Sequence, residues 1–146
     1  EAGTERMGII KSAVGIGSLL ADGIGETIRV SLTGDPLKEV SAAKDILKAV
    51  GKGSGVELVS CPTCGRTRID LVRAASMIED AVRDIDKNVK IAVMGCVVNG
   101  PGEAMEADIG IAGGDKCAVI FKKGKVLRKI SEDEIVPELL KEIEKL

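Results

Sequence analysis

The sequence predicts an α/β to α+β chain made of two parts. The first part offers an alternating strand at 27–33 followed by a helix. The second part restarts as strand, helix, strand and continues with several short strands and a last helix, which is typical of a small α+β layer structure. The glycine-rich stretch at 51–55 between them is the best linker candidate. We therefore predict two domains, residues 1–52 and residues 53–146.

Two helices flank the strand of the first part. A helix is predicted over about 4–21, because apolar residues recur near helical spacing at Met7, Ile10, Val14 and Leu20. In the strand, Arg29 and Ser31 share the face opposite to the apolar side chains. Asp35 predicts a helix N-cap with Pro36 at the first helical position. The apolar stripe of that second helix is Leu37, Val40, Ala43, Leu47 and Val50.

The second part begins with a strand at 56–59 that ends in a Cys-Pro-Thr-Cys turn. A helix is predicted from Thr67, as its cap, through Ile85, and it is followed by strands at 90–94, 108–112, 118–122 and 126–130. Ser131 and Glu134 form a capping box for the last helix, in which Pro137 predicts a kink or a late start. We expect the strands to form one sheet with both helices packed on it.

Composition excludes several functional classes. The 146 residues contain no His, which removes Ser-His-Asp catalysis, Cys-His pairs and His-containing zinc sites. One aromatic residue, Phe121, and a net charge of −2 argue against nucleic-acid binding. No apolar run is long enough for a membrane span, and no signal-peptide pattern opens the chain. We therefore expect a cytoplasmic, reducing setting, in which cysteines are ligands or redox groups rather than disulfides.

Cys61 and Cys64 lie in a CxxC turn between a strand and a helix. The N-terminus of that helix is expected to stabilise thiolates and an anionic cluster. By itself the motif leaves three interpretations open: a metal site, a redox dithiol of the thioredoxin type, and inert cysteines.

A third thiol narrows these interpretations. Cys96 follows a second apolar strand inside a glycine-rich turn, where it can face the same centre. Cys117 begins an apolar strand and is expected to be a small buried residue, so a closed zinc site lacks its fourth ligand. Three thiolates and one replaceable oxygen ligand suit a cubane cluster used for chemistry. Glu103 could fold back as that ligand, although its spacing fits a solvated carboxylate equally well.

Three stretches carry a resemblance to a known family. They are Cys-Pro-Thr-Cys-Gly-Arg at 61–66, Gly-Cys-Val-Val-Asn-Gly-Pro-Gly-Glu-Ala at 95–104 and Ala-Asp-Ile-Gly-Ile-Ala-Gly at 107–113. With Glu-Ala-Gly at 1–3 and Arg-Val-Ser-Leu-Thr-Gly-Asp-Pro at 29–36, the whole chain resembles the 4-hydroxy-3-methylbut-2-enyl diphosphate synthases of the methylerythritol phosphate pathway. Members of that family are longer, so this chain is expected to be a C-terminal part that begins inside a TIM-like barrel.

The resemblance implies a fold and a reaction. Residues 1–52 would be the last βα units of the barrel, and residues 53–146 a cluster domain like those of sulfite and nitrite reductases. A [4Fe–4S] cluster held by Cys61, Cys64, Cys96 and Glu103 would serve the reductive ring opening and dehydration of 2-C-methyl-D-erythritol 2,4-cyclodiphosphate. Ferredoxin or flavodoxin would donate the electrons, and the full-length enzyme would be a head-to-tail homodimer.

The resemblance also implies residues that meet the substrate. Glu1 matches a family Glu at the substrate pocket, and Glu103 would act in catalysis as well as in cluster binding. Arg29 and Ser31 would face the barrel interior at a strand's carboxyl end, where a diphosphate would pair with the guanidinium; an exposed face of an edge strand is the alternative. Asn99 would orient either the substrate or the Glu103 carboxylate. Three further functions stay open: a ferredoxin-like electron carrier, a CxxC dithiol oxidoreductase and a zinc-stabilised interaction domain.

Overall fold

The structure is a computed structural model that describes residues 3–97 and 104–146. The chain divides into two compact units, residues 1–54 and residues 55–146. Among the described residues, no helix combines the length and the apolar character that crossing a bilayer requires. Each unit is built around its own set of buried apolar side chains.

The first unit contains two helices, α1 (Glu5–Ala21) and α2 (Pro36–Ala49). The predicted start of α2 is confirmed, since the Asp35 side chain accepts a hydrogen bond of 2.9 Å from the Leu37 amide and Pro36 occupies the first turn. The predicted strand at 27–33 is wrong, because this segment does not form the continuous hydrogen-bond ladder of a β-strand. Within residues 3–54 this segment forms one parallel bridge, Thr33 with Thr4, because no further strand is there to pair with it.

The apolar stripes predicted for these two helices are wrong in part. In α1, Met7, Ile10 and Val14 are exposed, whereas Gly8, Gly17 and Leu20 are buried. Gly8 lies so close to Leu32 that a Cβ atom would come within 2.6 Å of its Cδ2 atom. In α2, Leu37 and Val40 are exposed while Ala42 and Ile46 are buried. The buried faces therefore combine small residues with Leu20 and Ile46, and the missing side chain of Gly8 lets α1 approach Leu32 closely.

The second unit is one mixed five-stranded sheet. Its strands are β1 (Val56–Ser60), β2 (Val89–Met94), β3 (Ile109–Gly114), β4 (Cys117–Lys122) and β5 (Lys125–Ser131), and they lie side by side in that order. The first three run parallel, and β4 and β5 follow as antiparallel neighbours. The carboxyl ends of β1, β2 and β3 therefore meet at one edge of the sheet, together with the start of β4.

Two helices pack on this sheet, as predicted, and both lie on the same face. They are α3 (Leu71–Val82) and α4 (Ile135–Glu144), the latter preceded by a 3-10 turn at Glu132–Glu134. Their Ile78, Leu139 and Ile143 join the inward side chains of the strands in the largest core. On the opposite face, Phe121 is fully buried with a set of small and flexible residues, Ala92, Met94, Ala104, Ala107 and Ala112.

Two helix starts test the local predictions. The capping box of Ser131 and Glu134 is confirmed, and α4 begins late, at Ile135, so that Pro137 falls in its first turn. The predicted start of α3 at Thr67 is wrong. Asp70 is the N-cap, since its carboxylate accepts a hydrogen bond of 3.1 Å from the Arg73 amide. The segment 61–70 is consequently a loop.

An ion-pair group ties β5 to α4. Arg128 donates to Glu142 at 2.8 Å and to Glu138 at 2.6 Å. Glu142 also accepts from Lys145, and these two cationic partners, Lys145 first and Arg128 second, lower the pKa of the Glu142 carboxyl. The pairs fix the last helix over the sheet face that carries Arg128.

Candidate metal centre

Two of the three candidate thiols lie at the carboxyl ends of adjacent parallel strands. Cys61 directly follows β1, and its amide continues the ladder by donating to the Val93 carbonyl of β2 at 3.4 Å. Cys96 lies two residues beyond the end of β2. Both cysteines are half-buried. The two strand ends thus bring Cys61 and Cys96 to the same edge of the sheet, and that they face one metal centre stays a prediction.

Gly95 joins the two loops that carry these thiols. Its amide donates to the Cys61 Sγ atom at 3.2 Å, and its carbonyl accepts from the Arg68 amide at 2.9 Å. Hydrogen bonds to ligand sulfurs are among the contacts by which a protein tunes an iron–sulfur cluster. The loop that contains Cys61 is thereby fixed to the residue that precedes Cys96.

Cys64 is exposed, and its surroundings favour the thiolate form. The amide of Arg66 lowers the pKa of this thiol most, and the hydroxyl and amide of Thr67 lower it further. The expected contribution of a helix N-terminus is wrong, because α3 begins only at Leu71. Hydrogen-bond donors of the turn itself take that role.

Cys117 starts β4 at the same edge of the sheet. It faces Gly114 on one side and Ser131 on the other, and β3 lies between its strand and β2. Its side chain is half-buried rather than fully buried. This position separates it from the two loops that carry the other thiols.

The donor set fits an iron–sulfur cluster in its chemistry. Cys61 has an N–H donor on its sulfur, Cys64 has a lowered thiol pKa, and Cys96 lies at the neighbouring strand end. Within residues 3–97 and 104–146, however, no three Cys, Asp or Glu side chains are close enough together to hold a single metal ion. The predicted site residues Glu1, Asn99 and Glu103 lie outside the described residues.

Arg29 and Ser31 line a cavity of about 530 Å³ in the first unit. Arg29 is exposed and Ser31 half-buried, whereas the alternating Val30 and Leu32 are buried. The predicted division of this segment into a polar and an apolar face is therefore confirmed. Sequence reasoning missed Lys11 and Ser12 of α1, which line the same cavity. No local motif marks them, since their place beside Arg29 depends on how α1 packs.

The comparisons with known proteins agree with this architecture. Residues 57–145 match the family described as GcpE protein C-terminal domain, and residues 1–44 match the GcpE TIM-barrel domain.

Similar proteins from Clostridium tetani (59% identical), Caldanaerobacter subterraneus subsp. tengcongensis (61%) and Geobacillus kaustophilus (56%) are each named 4-hydroxy-3-methylbut-2-en-1-yl diphosphate synthase (flavodoxin). The matches cover 100% of this chain and 42%, 41% and 39% of those relatives. The chain thus spans about two fifths of the length of the proteins it matches, and it belongs to the GcpE family.

Proposed function

We propose that this chain is the C-terminal part of a 4-hydroxy-3-methylbut-2-enyl diphosphate synthase. Its reaction would convert 2-C-methyl-D-erythritol 2,4-cyclodiphosphate and two electrons with two protons into 4-hydroxy-3-methylbut-2-enyl diphosphate and one water. A ring C–O bond breaks in this conversion, and the substrate is reduced. The names of the relatives and the family membership support the reaction.

Cys61, Cys64 and Cys96 would hold a [4Fe–4S] cluster, with Glu103 as the fourth ligand. The observation that carries this proposal is the Gly95 amide, which donates to the Cys61 sulfur and so joins the loops of Cys61 and Cys96. When bound, the cluster supplies the electrons for reduction and a site of Lewis acidity. The chain's own contribution would be to fix the loops that carry these thiols and to lower the pKa of the Cys64 thiol.

The first unit would contribute to binding the substrate. Arg29 and Ser31 would meet the diphosphate, with Glu1 at the same pocket and Asn99 orienting the substrate or Glu103. The cavity that Arg29 shares with Lys11 supports an anionic ligand, because two cationic side chains line it.

The proposed architecture follows from the same assignment. Residues 1–52 would be the last βα units of the barrel, and residues 53–146 the cluster domain, similar to the domains of sulfite and nitrite reductases. A homodimer would bring the cluster domain of one subunit over the barrel of the other. The word flavodoxin in the relatives' names favours flavodoxin over ferredoxin as the electron donor. Thiolate ligands would need the reducing conditions of the cytoplasm.

Cluster assembly tests the proposal directly. The protein is reconstituted anaerobically with iron and sulfide and measured by iron and sulfide content, visible absorption and EPR. The single variants Cys61→Ser, Cys64→Ser and Cys96→Ser should lose most of the cluster, and Cys117→Ser is the matched control that should retain it. A protein that stays colourless, or a loss as large in Cys117→Ser, contradicts the ligand assignment.

A second candidate function is a CxxC dithiol oxidoreductase. The lowered thiol pKa of the exposed Cys64 favours it, since a thiolate is the attacking group in thiol–disulfide exchange. The same experiment separates the two functions. A dithiol enzyme would take up no iron and would exchange disulfides equally well in the Cys96→Ser variant.

A further inference from the structure

Gly95 is buried between the two loops of the candidate metal centre. A Cβ atom at this position would lie 3.0 Å from both Cγ2 and Oγ1 of Thr67 and 3.3 Å from a methyl group of Leu71. Such distances are shorter than ordinary van der Waals contact. Because Gly95 has no side chain, Thr67 can pack directly against its backbone.

Thr67 also closes the turn that carries Cys64. Its Oγ1 atom accepts a hydrogen bond of 3.1 Å from the Cys64 amide, and its own amide donates to the Cys64 carbonyl at 3.0 Å. The same hydroxyl lowers the pKa of the Cys64 thiol. Thr67 is thus bonded to Cys64 on one side and packed on Gly95 on the other.

Gly95 extends this connection to the remaining thiols. Its amide donates to the Cys61 sulfur, and the next residue in the chain is Cys96. One contact between Thr67 and Gly95 therefore links the backbone of Cys64 to the positions of Cys61 and Cys96. The hydrogen bond from the Arg68 amide to the Gly95 carbonyl is a second connection between the Cys64 turn and the loop after β2.

We propose that Thr67, seated against Gly95, is a positioning residue that holds the Cys64 turn in register with Cys61 and Cys96. This inference rests on the proposed cluster function. Groups that orient metal ligands from outside the ligand set tune affinity and electronic properties, and hydrogen bonds near the sulfurs set the reduction potential of a cluster. Thr67 therefore governs both the retention of the cluster and its midpoint potential.

Two substitutions at Thr67 distinguish the contribution of its hydroxyl group from that of its size and shape. Thr67→Val keeps the shape but removes the acceptor of the Cys64 amide, whereas Thr67→Ser keeps the hydroxyl. In the anaerobically reconstituted holoprotein, cluster loss to an iron chelator should become about 10-fold faster or more in Thr67→Val. The midpoint potential and the EPR spectrum should also shift. Thr67→Ser should match the wild-type protein in all three measurements.

Gly95→Ala tests the packing side of the proposal. The added methyl should displace Thr67 and speed cluster loss, and the effect should be smaller in Gly95→Ala/Thr67→Ser, which removes the nearby Cγ2 atom. Circular dichroism and urea midpoints of every variant identify those that have lost their fold.

The outcomes distinguish this proposal from the function on which it rests. The positioning role is overturned if the wild-type protein holds a cluster and a folded Thr67→Val variant has the same chelator kinetics, midpoint potential and EPR spectrum as Thr67→Ser. That result leaves the proposed function unaffected. A wild-type protein that takes up no cluster overturns both.

Discussion

Cys61 and Cys64 have different surroundings although three positions separate them. Cys61 is half-buried at a strand end and accepts one backbone hydrogen bond at sulfur. Cys64 is exposed, and donors of its own turn surround its thiol. Cys61 therefore depends on the sheet for its position, while Cys64 depends on the turn and on the residue that closes it.

Glu103 carries a prediction at the residue scale. In the full-length enzyme, Glu103→Cys should retain a cluster but lose most activity, because a thiolate leaves iron less readily than a carboxylate when substrate binds. Glu103→Ala should weaken cluster retention and alter the EPR spectrum. Iron content, EPR and steady-state turnover measure these effects. Wild-type spectra and turnover in both variants would show that Glu103 is not a ligand.

The element that positions the site is the sheet of the second unit. Three parallel strands end at one edge, and the buried side chains on both faces fix their register. The late start of α3 adds a loop of ten residues, 61–70, between β1 and the helix. Because Asp70 caps that helix, the Thr67 hydroxyl is available to bond Cys64 instead.

Gly110 in β3 tests how tightly this sheet is packed. A Cβ atom there would lie 2.4 Å from the Phe121 ring and 2.6 Å from the Ala92 carbonyl oxygen. Gly110→Ala should lower the free energy of unfolding by about 1–3 kcal/mol, since backbone on a neighbouring strand has to move.

Gly65→Ala is the comparison variant, because nothing lies within 4 Å of its added atom. Its free energy of unfolding should stay within about 0.5 kcal/mol of wild type. Urea unfolding followed by circular dichroism measures both variants. Equal stability of Gly110→Ala and wild type would contradict the close packing of β2, β3 and β4.

At the scale of the whole molecule, the chain combines two units that differ in their secondary structure and in the family domain that they match. The second unit has a five-stranded sheet with helices packed on it, and the C-terminal domain of the family matches residues 57–145. In residues 3–54 the first unit holds two helices and an extended segment with one parallel bridge, and residues 1–44 match the GcpE TIM-barrel domain. The relatives, by contrast, are more than twice as long as this chain.

The 146-residue chain alone should therefore bind a cluster without turning over the cyclic diphosphate at enzyme rates. Groups that position a substrate contribute on the order of 7–11 kcal/mol in full, and most of the diphosphate-binding residues are expected in parts of the barrel outside this chain. An anaerobic assay with reduced flavodoxin measures turnover, with a full-length relative as the control. Steady turnover near the rate of that control would refute the expectation.

The sequence by itself determined those features that depend on a few neighbouring residues. Asp35 with Pro36 indicated a helix start, and Ser131 with Glu134 indicated another, because each cap is made within one turn of chain. The cysteine spacing and the glycine-rich stretch after Cys96 led to the family, which the comparisons then established. The five strands of the second unit were predicted from short apolar segments and the turn signals between them.

Only the tertiary structure decided which residues meet across the chain. Met7 and Val14 were predicted to be buried and are exposed, and the segment 27–33 alternates but has no neighbouring strand beyond one bridge. Apolar periodicity therefore does not specify which segment packs or pairs with which. Both Thr67 and Asp70 are residues that can cap a helix, and the fold uses Asp70 as the N-cap of α3. The contact of Gly95 with Thr67 joins segments distant in sequence, and it exists because β1 and β2 pair in one register. Local hydrogen bonds can be predicted from neighbours in the chain, whereas packing depends on the whole fold.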